Sequence, residues 1–204
     1  MIAKALPTLT IDQDGWCPQA RQLPSPNHNE RPEGQPVELL VIHNISLPPG
    51  QFGGPFIADM FLNRLDFDVH PFFDQLRELK VSSHFFIRRT GELIQFVPTE
   101  KRAWHAGVSF FKGKESCNDF SIGIEVEGTD FVAFEPVQYL TLTALTKALA
   151  TRYPSMQHIT GHEYIAPTRK TDPGPFFDWQ HYNRLLTDNG VSLDTWFGNK
   201  KKTC

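Results

Sequence analysis

Val37-Glu38-Leu39-Leu40-Val41-Ile42-His43 is the stretch that decides the fold. Leu39 to Ile42 is a continuous apolar run without alternation. That is the pattern of a strand covered by helices on both faces. His43 ends the run, where the strand passes into a loop. The loop from Leu47 to Pro55 contains Pro48, Pro49, Gly50, Gly53 and Gly54, residues that interrupt regular structure.

Outward from this strand, apolar residues at Phe56, Ile57, Met60, Phe61 and Leu65 predict a helix over Phe56 to Leu65. Phe72 to Leu79 reads as a second, shorter one. Ser83 to Arg88, Thr90-Gly91, then Glu92 to Val97 reads as a hairpin with a glycine turn. Lys101 to Asn118 is a long loop holding Trp104, His105 and Gly107, and loops of that length commonly carry function. Phe120 to Val126 is a strand. Pro136 to Arg152 is the clearest helix, with proline in its first turn and a stripe of Tyr139, Leu140, Leu142, Leu145 and Leu149. His158 to Thr160 is a short strand, and Asp178 to Thr187 a last helix with Gly190 as its stop signal.

These elements give a fold class of α/β: a single domain with a central mixed β-sheet flanked by helices. Residues 1–36, rich in Pro, Asn and charge as in Leu23-Pro24-Ser25-Pro26-Asn27-His28, read as an irregular arm packed on the domain. Residues 37–190 form the domain proper, and residues 191–204 a C-terminal tail.

Composition narrows the function. The chain has 204 residues, 40% hydrophobic and 21% charged, with net charge −3. Nothing in it resembles a nucleic-acid surface, where Lys and Arg cluster. Lys200-Lys201-Lys202 reads as a solvated run. Met1 to Thr10 lacks the apolar block of a secretory signal, and no segment approaches the roughly 20 apolar residues that span a bilayer. Cys17, Cys117 and Cys204 are odd in number and scattered. This excludes a disulfide framework and favours a reducing compartment. The expectation is a cytoplasmic monomer.

The chemistry gathers around His43 and the loop Gly161-His162-Glu163-Tyr164-Ile165-Ala166-Pro167-Thr168-Arg169-Lys170-Thr171-Asp172-Pro173. Two imidazoles and one carboxylate can hold Zn²⁺ with a fourth position open to water, as catalytic zinc sites do. His162 follows Gly161, which lets the backbone bend just after a strand. Asp172 precedes Pro173, which favours an extended backbone. Each residue also has a plainer reading: a hydrogen-bonded histidine at a strand end, or a turn-forming aspartate. Of the other histidines, His84 alternates with apolar residues and reads as core, His105 as a residue facing a substrate. His28, His70, His158 and His181 default to surface or structural roles.

Glu125 and Glu127 are the acid/base candidates. In Ser121-Ile122-Gly123-Ile124-Glu125-Val126-Glu127, Ile122, Ile124 and Val126 share one strand face and both glutamates the other. A carboxylate flanked by Ile124 and Val126 is expected to be partly buried, with a raised pKa. A buried salt bridge is the plainer alternative, and alternation does not choose between the two glutamates.

Five segments occur in order: Val41-Ile42-His43-Asn44-Ile45-Ser46, Ser83-His84-Phe85-Phe86-Ile87-Arg88-Arg89, Arg102-Ala103-Trp104-His105-Ala106-Gly107, Asn118-Asp119-Phe120-Ser121-Ile122-Gly123-Ile124-Glu125, and Gly161-His162 through Asp172-Pro173-Gly174-Pro175. Together they closely resemble the AmpD-type 1,6-anhydro-N-acetylmuramoyl-L-alanine amidases of bacterial cell-wall recycling. The resemblance covers roughly residues 14 to 187. It implies a zinc amidase with the fold that this family shares with peptidoglycan-recognition proteins, acting on anhydromuropeptides. It assigns the single Zn²⁺ to His43, His162 and Asp172, the catalytic carboxylate to Glu125, and a catalytic lysine to Lys170. It assigns substrate contacts to Asn44, Trp104 and Ala166. Ser116 departs from the family, which often carries Arg there to bind the peptide's terminal carboxylate; Lys80, Lys112 and Lys114 are the candidate replacements.

Three other readings compete. A recognition module that binds without cleaving would lack a metal ligand, and all three candidates are present. An amidase acting on intact wall would need an export signal or a lysis route. A structural zinc site would want a fourth Cys or His.

Overall fold

The computed structural model describes residues 6–198; Lys200–Lys202 and Cys204 lie outside them. In chain order the elements are β1 (Arg21–Gln22), β2 (His28–Asn29), β3 (Leu39–Ile45), α1 (Phe56–Phe61), a 3-10 turn (Pro71–Leu76), β4 (Phe85–Ile87) and β5 (Leu93–Gln95). Then come β6 (Arg102–Ala103), β7 (Phe110–Phe111), β8 (Lys114–Glu115), a 3-10 turn (Cys117–Asp119), β9 (Ser121–Glu127), α2 (Pro136–Arg152), β10 (His158–Gly161), α3 (His162–Ile165), α4 (Trp179–Asp188) and β11 (Asp194–Trp196).

One sheet of seven strands runs β1-β5-β4-β9-β3-β10-β11. Only β4 and β5 pair antiparallel; the other neighbours are parallel. The expected mixed sheet is therefore present. β3 lies inside it, between β9 and β10, which is why its run from Leu39 to Ile42 is wholly buried and does not alternate.

Strand alternation sorts the core into two layers. Leu40, Ile42, Ile122, Ile124 and Val126 pack with Tyr139, Leu142, Leu145 and Leu149 of α2 and Tyr182 and Leu186 of α4. Leu39 and Val41 point the other way, against Ala106, Phe111, Phe120 and Ile165. Further along, Phe86, Ile94 and Phe96 pack with Ile57, Met60 and Phe61 of α1. His43 and Glu125 continue the second face, away from α2 and α4. This gives a layer closed by helices and a layer that opens toward a cleft.

α2 has the limits read from sequence. Pro136 opens it, and the Glu135 N–H donates to Gln138 Oε1 at 2.9 Å. Leu140 stays only partly buried, while Thr143 and Thr146 are buried because α4 covers a second side; Thr146 Oγ1 lies 2.6 Å from the Tyr182 hydroxyl. α4 starts where Asp178 accepts the His181 N–H at 2.8 Å, an N-cap.

Several expectations need correction. α1 ends at Phe61, short of Leu65, because Asn63 takes a left-handed backbone with φ 55°, which stops a helix. The expected helix over Phe72 to Leu79 is a 3-10 turn, opened by Pro71 and capped by His70 Nδ1 on the Phe72 N–H. The Lys101–Asn118 loop carries β6, β7 and β8. Neither terminal segment is wholly irregular: β1 pairs with β5, β2 with β6, and β11 with β10. Such short strands satisfy the backbone groups of sheet edges but are too brief to carry a periodic signal.

Arg31 is one of the arm's tethers, beside Ser25 and Asn27, which bond the Phe61 and Val81 carbonyls. Its guanidinium donates to the carbonyls of Asn118 (3.1 Å), Asp119 (3.0 Å), Thr99 (3.2 Å) and Ser121 (2.8 Å). Losing a hydrogen-bond partner costs a buried acceptor about 1–3 kcal/mol. Arg31→Ala is therefore expected to lower the unfolding free energy by about 3 kcal/mol or more. Urea denaturation measures this, and a change inside about 0.5 kcal/mol, typical of a surface substitution, would show that the staple is dispensable.

Candidate metal centre and cleft

Three adjacent parallel strands deliver the site at their C-terminal ends, the usual place for a ligand crevice in such sheets. The register pairs His43 of β3 with Glu125 of β9, and Ile42 of β3 with Gly161 of β10. His162 follows directly as the first residue of α3. The His162–Asp172 loop closes on itself through the Glu163 N–H, which donates to the Asp172 carbonyl at 2.8 Å. The Asp172–Pro173 peptide is cis. Gly161 serves differently from the sequence expectation. Its backbone is extended, and a Cβ there would lie 2.7 Å from Pro173 Cδ. The glycine makes room for the returning loop and does not form a bend.

His43, His162 and Asp172 form a group that could hold a metal ion. Nδ1 of His43 lies 3.0 Å from Nδ1 of His162 and 3.0 Å from Oδ2 of Asp172; the third edge is 3.1 Å. A point about 2 Å from all three atoms lies just outside their plane, and 2.0–2.2 Å is the bond length of zinc to such donors. The histidines are almost fully buried. Burial, then the neighbouring His162, lowers His43 to about 4, so its imidazole is neutral as a ligand must be. His162 Nε2 faces the Ala106 carbonyl at 3.0 Å, an obligate acceptor, so its Nδ1 carries a free lone pair toward the group. Acceptors that face one another this closely call for a cation among them. The donor set fits a metal.

The two glutamates separate. Glu127 accepts the N–H groups of Gly53 (2.6 Å) and Arg89 (2.9 Å) and so ties two loops to the sheet. Glu125 lines the cleft beside His43, and its buried Oε2 has no hydrogen-bond partner among the described residues. Burial and then the Asp172 charge push its carboxyl well above the usual range, while Lys170 pulls it back.

The donors sit where two grooves meet. One, of about 540 Å³, is walled by Leu47, Met60, Phe72, Leu76 and Leu79, with Lys80 and Trp104 on its rim. The other, of about 670 Å³, runs past Pro49, Gly50 and Thr129 to Val132. Asn44, Arg169, Lys170 and Asp172 line both. Asn44 donates to Asp130 Oδ1 (2.7 Å) and the Pro173 carbonyl (3.0 Å), which leaves its own oxygen to accept. Trp104 is held by its indole N–H on Asn29 Oδ1 at 2.7 Å.

Other predicted residues fall elsewhere. Ala166 is buried and does not line either groove; its carbonyl accepts the N–H groups of Arg169 and Lys170 and shapes the loop. His105 lines the first groove, as expected, and its ring also reaches His43, with Nδ1 3.0 Å from His43 Nε2. His84 is core as expected, accepting the Gly123 N–H. Lys114 pairs with Glu38 and Lys112 sits against His158, so among the replacements for a residue-116 cation only Lys80 lines a groove. Sequence reading missed Arg169, which ties the Trp104 loop to the metal loop through the Ala106 and Val108 carbonyls. It also missed Asp130. Neither stands in a distinctive local pattern.

Comparison with known proteins agrees with this geometry. Residues 33–175 match the family model described as N-acetylmuramoyl-L-alanine amidase. The chain is 55% identical over 175 residues to the 1,6-anhydro-N-acetylmuramyl-L-alanine amidase AmpD of Citrobacter freundii, covering 85% of this chain and 94% of that one. It is 53% identical to the protein of that name from Escherichia coli K12, covering 86% and 96%. A crystal structure of an AmpD selenomethionine derivative superimposes with a TM-score of 0.84 at 54% identity, covering 86% of this chain and 98% of the other. The AmiD amidase of E. coli, solved with the substrate anhydro-N-acetylmuramic acid-L-Ala-D-gamma-Glu-L-Lys, superimposes at 0.55 with 29% identity, covering 89% and 66%. The chain belongs to the N-acetylmuramoyl-L-alanine amidase family.

Proposed function

We propose that this chain hydrolyses the amide joining the lactyl group of 1,6-anhydro-N-acetylmuramic acid to L-alanine, in peptidoglycan recycling, with one Zn²⁺ held by His43, His162 and Asp172. The observation that carries the reading is the Glu125 carboxylate, its buried Oε2 unpaired among the described residues, beside a three-donor group that could hold a metal at the junction of two grooves. A muramyl amide has a sugar on one side and a peptide on the other, so two grooves meeting at the donors suit it. The high identity to AmpD amidases over most of the chain supports the substrate.

Zinc bound to such a group supplies Lewis acidity toward a carbonyl and a water. The remaining work falls to the chain's own residues. Glu125 takes a proton from the attacking water and passes it to the alanine nitrogen as the C–N bond breaks. The water oxygen stays on the lactyl carbon as a carboxylic acid, and the peptide leaves as an amine. Lys170 donates to the oxygen on which negative charge develops. Asn44 and Trp104 hold sugar or peptide, and Lys80 offers a cation for a peptide carboxylate. Ala166 acts through the backbone turn that aims Lys170. Among the described residues no helix is long and apolar enough to cross a membrane. The buried free thiols of Cys17 and Cys117 support a reducing cytoplasm as the place of action.

Mass spectrometry of purified anhydromuropeptide incubated with the protein tests the reaction. The expected products are the free anhydro-sugar acid and the peptide, with release blocked by a chelator. His162→Ala should carry little zinc by elemental analysis and release neither product. Chelator-insensitive cleavage, or full zinc in that variant, would reject the assignment.

The carboxylates are told apart by a pair of variants. Glu125→Gln is expected to keep fold and zinc while losing about 10²-fold or more in kcat, the scale of general acid–base catalysis. Glu127→Gln should instead lower stability by about 1 kcal/mol through its two backbone tethers, with chemistry largely kept. The reverse pattern, with zinc intact in both, would exchange the roles.

Lys170→Ala should retain zinc and lower kcat by about 10²- to 10³-fold, as loss of an oxyanion donor does. A folded, zinc-loaded variant with ordinary kcat would reduce Lys170 to a solvated loop residue.

A further inference from the structure

His105 lines the cleft and also stands in a line of hydrogen bonds, running back from His43, whose direction can be worked out from its far end. Ser121 Oγ is 2.6 Å from the Cys117 carbonyl oxygen. Two oxygens that close need a proton between them, and a carbonyl has none to give. The Ser121 hydroxyl proton is therefore spent on Cys117. Ser121 Oγ also lies 3.1 Å from His105 Nε2, so it accepts there, and the proton sits on His105 Nε2. A neutral His105 then offers a lone pair at Nδ1, which is 3.0 Å from His43 Nε2. His43 donates through Nε2, and its Nδ1, the atom that faces His162 and Asp172, is left bare.

From this we infer that His105 and Ser121 are positioning residues that fix the tautomer of His43 so that Nδ1 is presented to the metal. The inference rests on the reading of His43 as a metal ligand. A doubly protonated His105, or its opposite tautomer, would turn His43 around and put a proton where the ion belongs. Ligand histidines commonly direct their second nitrogen to a carboxylate, a carbonyl or water. His162 does this directly on Ala106, whereas His43 reaches a carbonyl only through an imidazole and a hydroxyl.

A second observation supports a built device. His105 packs face-on over β9 at Gly123, where a Cβ would lie 2.5 Å from both Cγ and Nδ1 of the ring. Gly123 is in the middle of a buried strand, a poor place for glycine on propensity alone. Its value here is the space it leaves for the ring. The main chain of His105 is held as well: Asn118 Oδ1 accepts the N–H groups of His105 (3.1 Å) and Ala106 (2.8 Å). The ring is thereby fixed from backbone, face and both nitrogens.

Two measurements on the full chain test this. Long-range proton–nitrogen NMR of the metal-free protein reports the tautomer of each histidine, and His43 is expected to be protonated on Nε2. Zinc affinity, by competition with a chromophoric chelator, is expected to fall about 10- to 100-fold in His105→Leu, the cost typical of losing a partner of a metal ligand. His105→Asn, whose Oδ1 can accept from His43 in place of Nδ1, should recover most of that loss, which a purely packing role would not predict. Ser121→Ala should shift His43 toward the Nδ1-protonated form and weaken zinc in step. An Nδ1-protonated His43 in the unaltered protein, or wild-type affinity in His105→Leu, overturns the inference. Should His105→Leu fail to fold, the spectrum of the unaltered protein and the Ser121→Ala pair decide. An unaltered protein with Nε2-protonated His43 but no zinc binding would instead reject the metal reading and keep the relay.

Discussion

Everything at the site depends on the register of three neighbouring parallel strands. β3 is hydrogen-bonded on one side to β9 and on the other to β10, so the ends of all three are fixed relative to one another. A shift by one residue along β3 would turn His43 into the layer filled by α2 and α4 and bring Asn44 to the donors' position. The buried apolar run from Leu39 to Ile42 is what forbids that shift. Leu40 and Ile42 must meet the layer of α2 and α4 while Leu39 and Val41 meet the opposite layer of Ala106, Phe111, Phe120 and Ile165. The placement of a polar site thus follows from apolar residues that never touch it.

The same logic explains which parts were legible in the sequence. The central strands and α2 announce themselves because burial on known faces imposes a pattern many residues long. Glu125 and Glu127 were correctly placed on the face opposite Ile122, Ile124 and Val126, since alternation is a local property. Their difference was not legible. It arises from Gly53 and Arg89, distant residues that occupy Glu127, while among the described residues nothing bonds Glu125 Oε2. The bonding of His105, which lines the cleft as expected, was hidden for a similar reason. Its partners are His43 and Ser121, one from each of two strands, and no spacing in the chain links it to both. The edge strands β1 and β11 were also hidden, being only two and three residues long, below the length at which a period can show.

Two kinds of glycine act around the donors, neither through a special backbone angle. Gly161 admits Pro173 and Gly123 admits His105, each at a distance that no side chain would allow. Side chains here are packed by what is missing from their neighbours. Arg169 of the donor loop then ties the segment after Trp104 through the Ala106 and Val108 carbonyls, and Asn118 holds the same segment through the His105 and Ala106 N–H groups.

The wide separation of the donors along the chain has a consequence for how the protein comes into being. His43 and His162 are 119 positions apart, and Asp172 lies 129 from His43. During synthesis from the N-terminus, His43 emerges early and waits with a single donor. His162 cannot join it until β10 has been made, and the triangle closes only once Asp172 has followed. A nascent chain is thus unable to retain a metal on these donors while its central sheet is still incomplete. Contacts of such long range form late and only as the sheet forms. An ion held by these three residues would therefore be captured only after β10 and the Asp172 loop are in place, which would tie its possession to a formed central sheet.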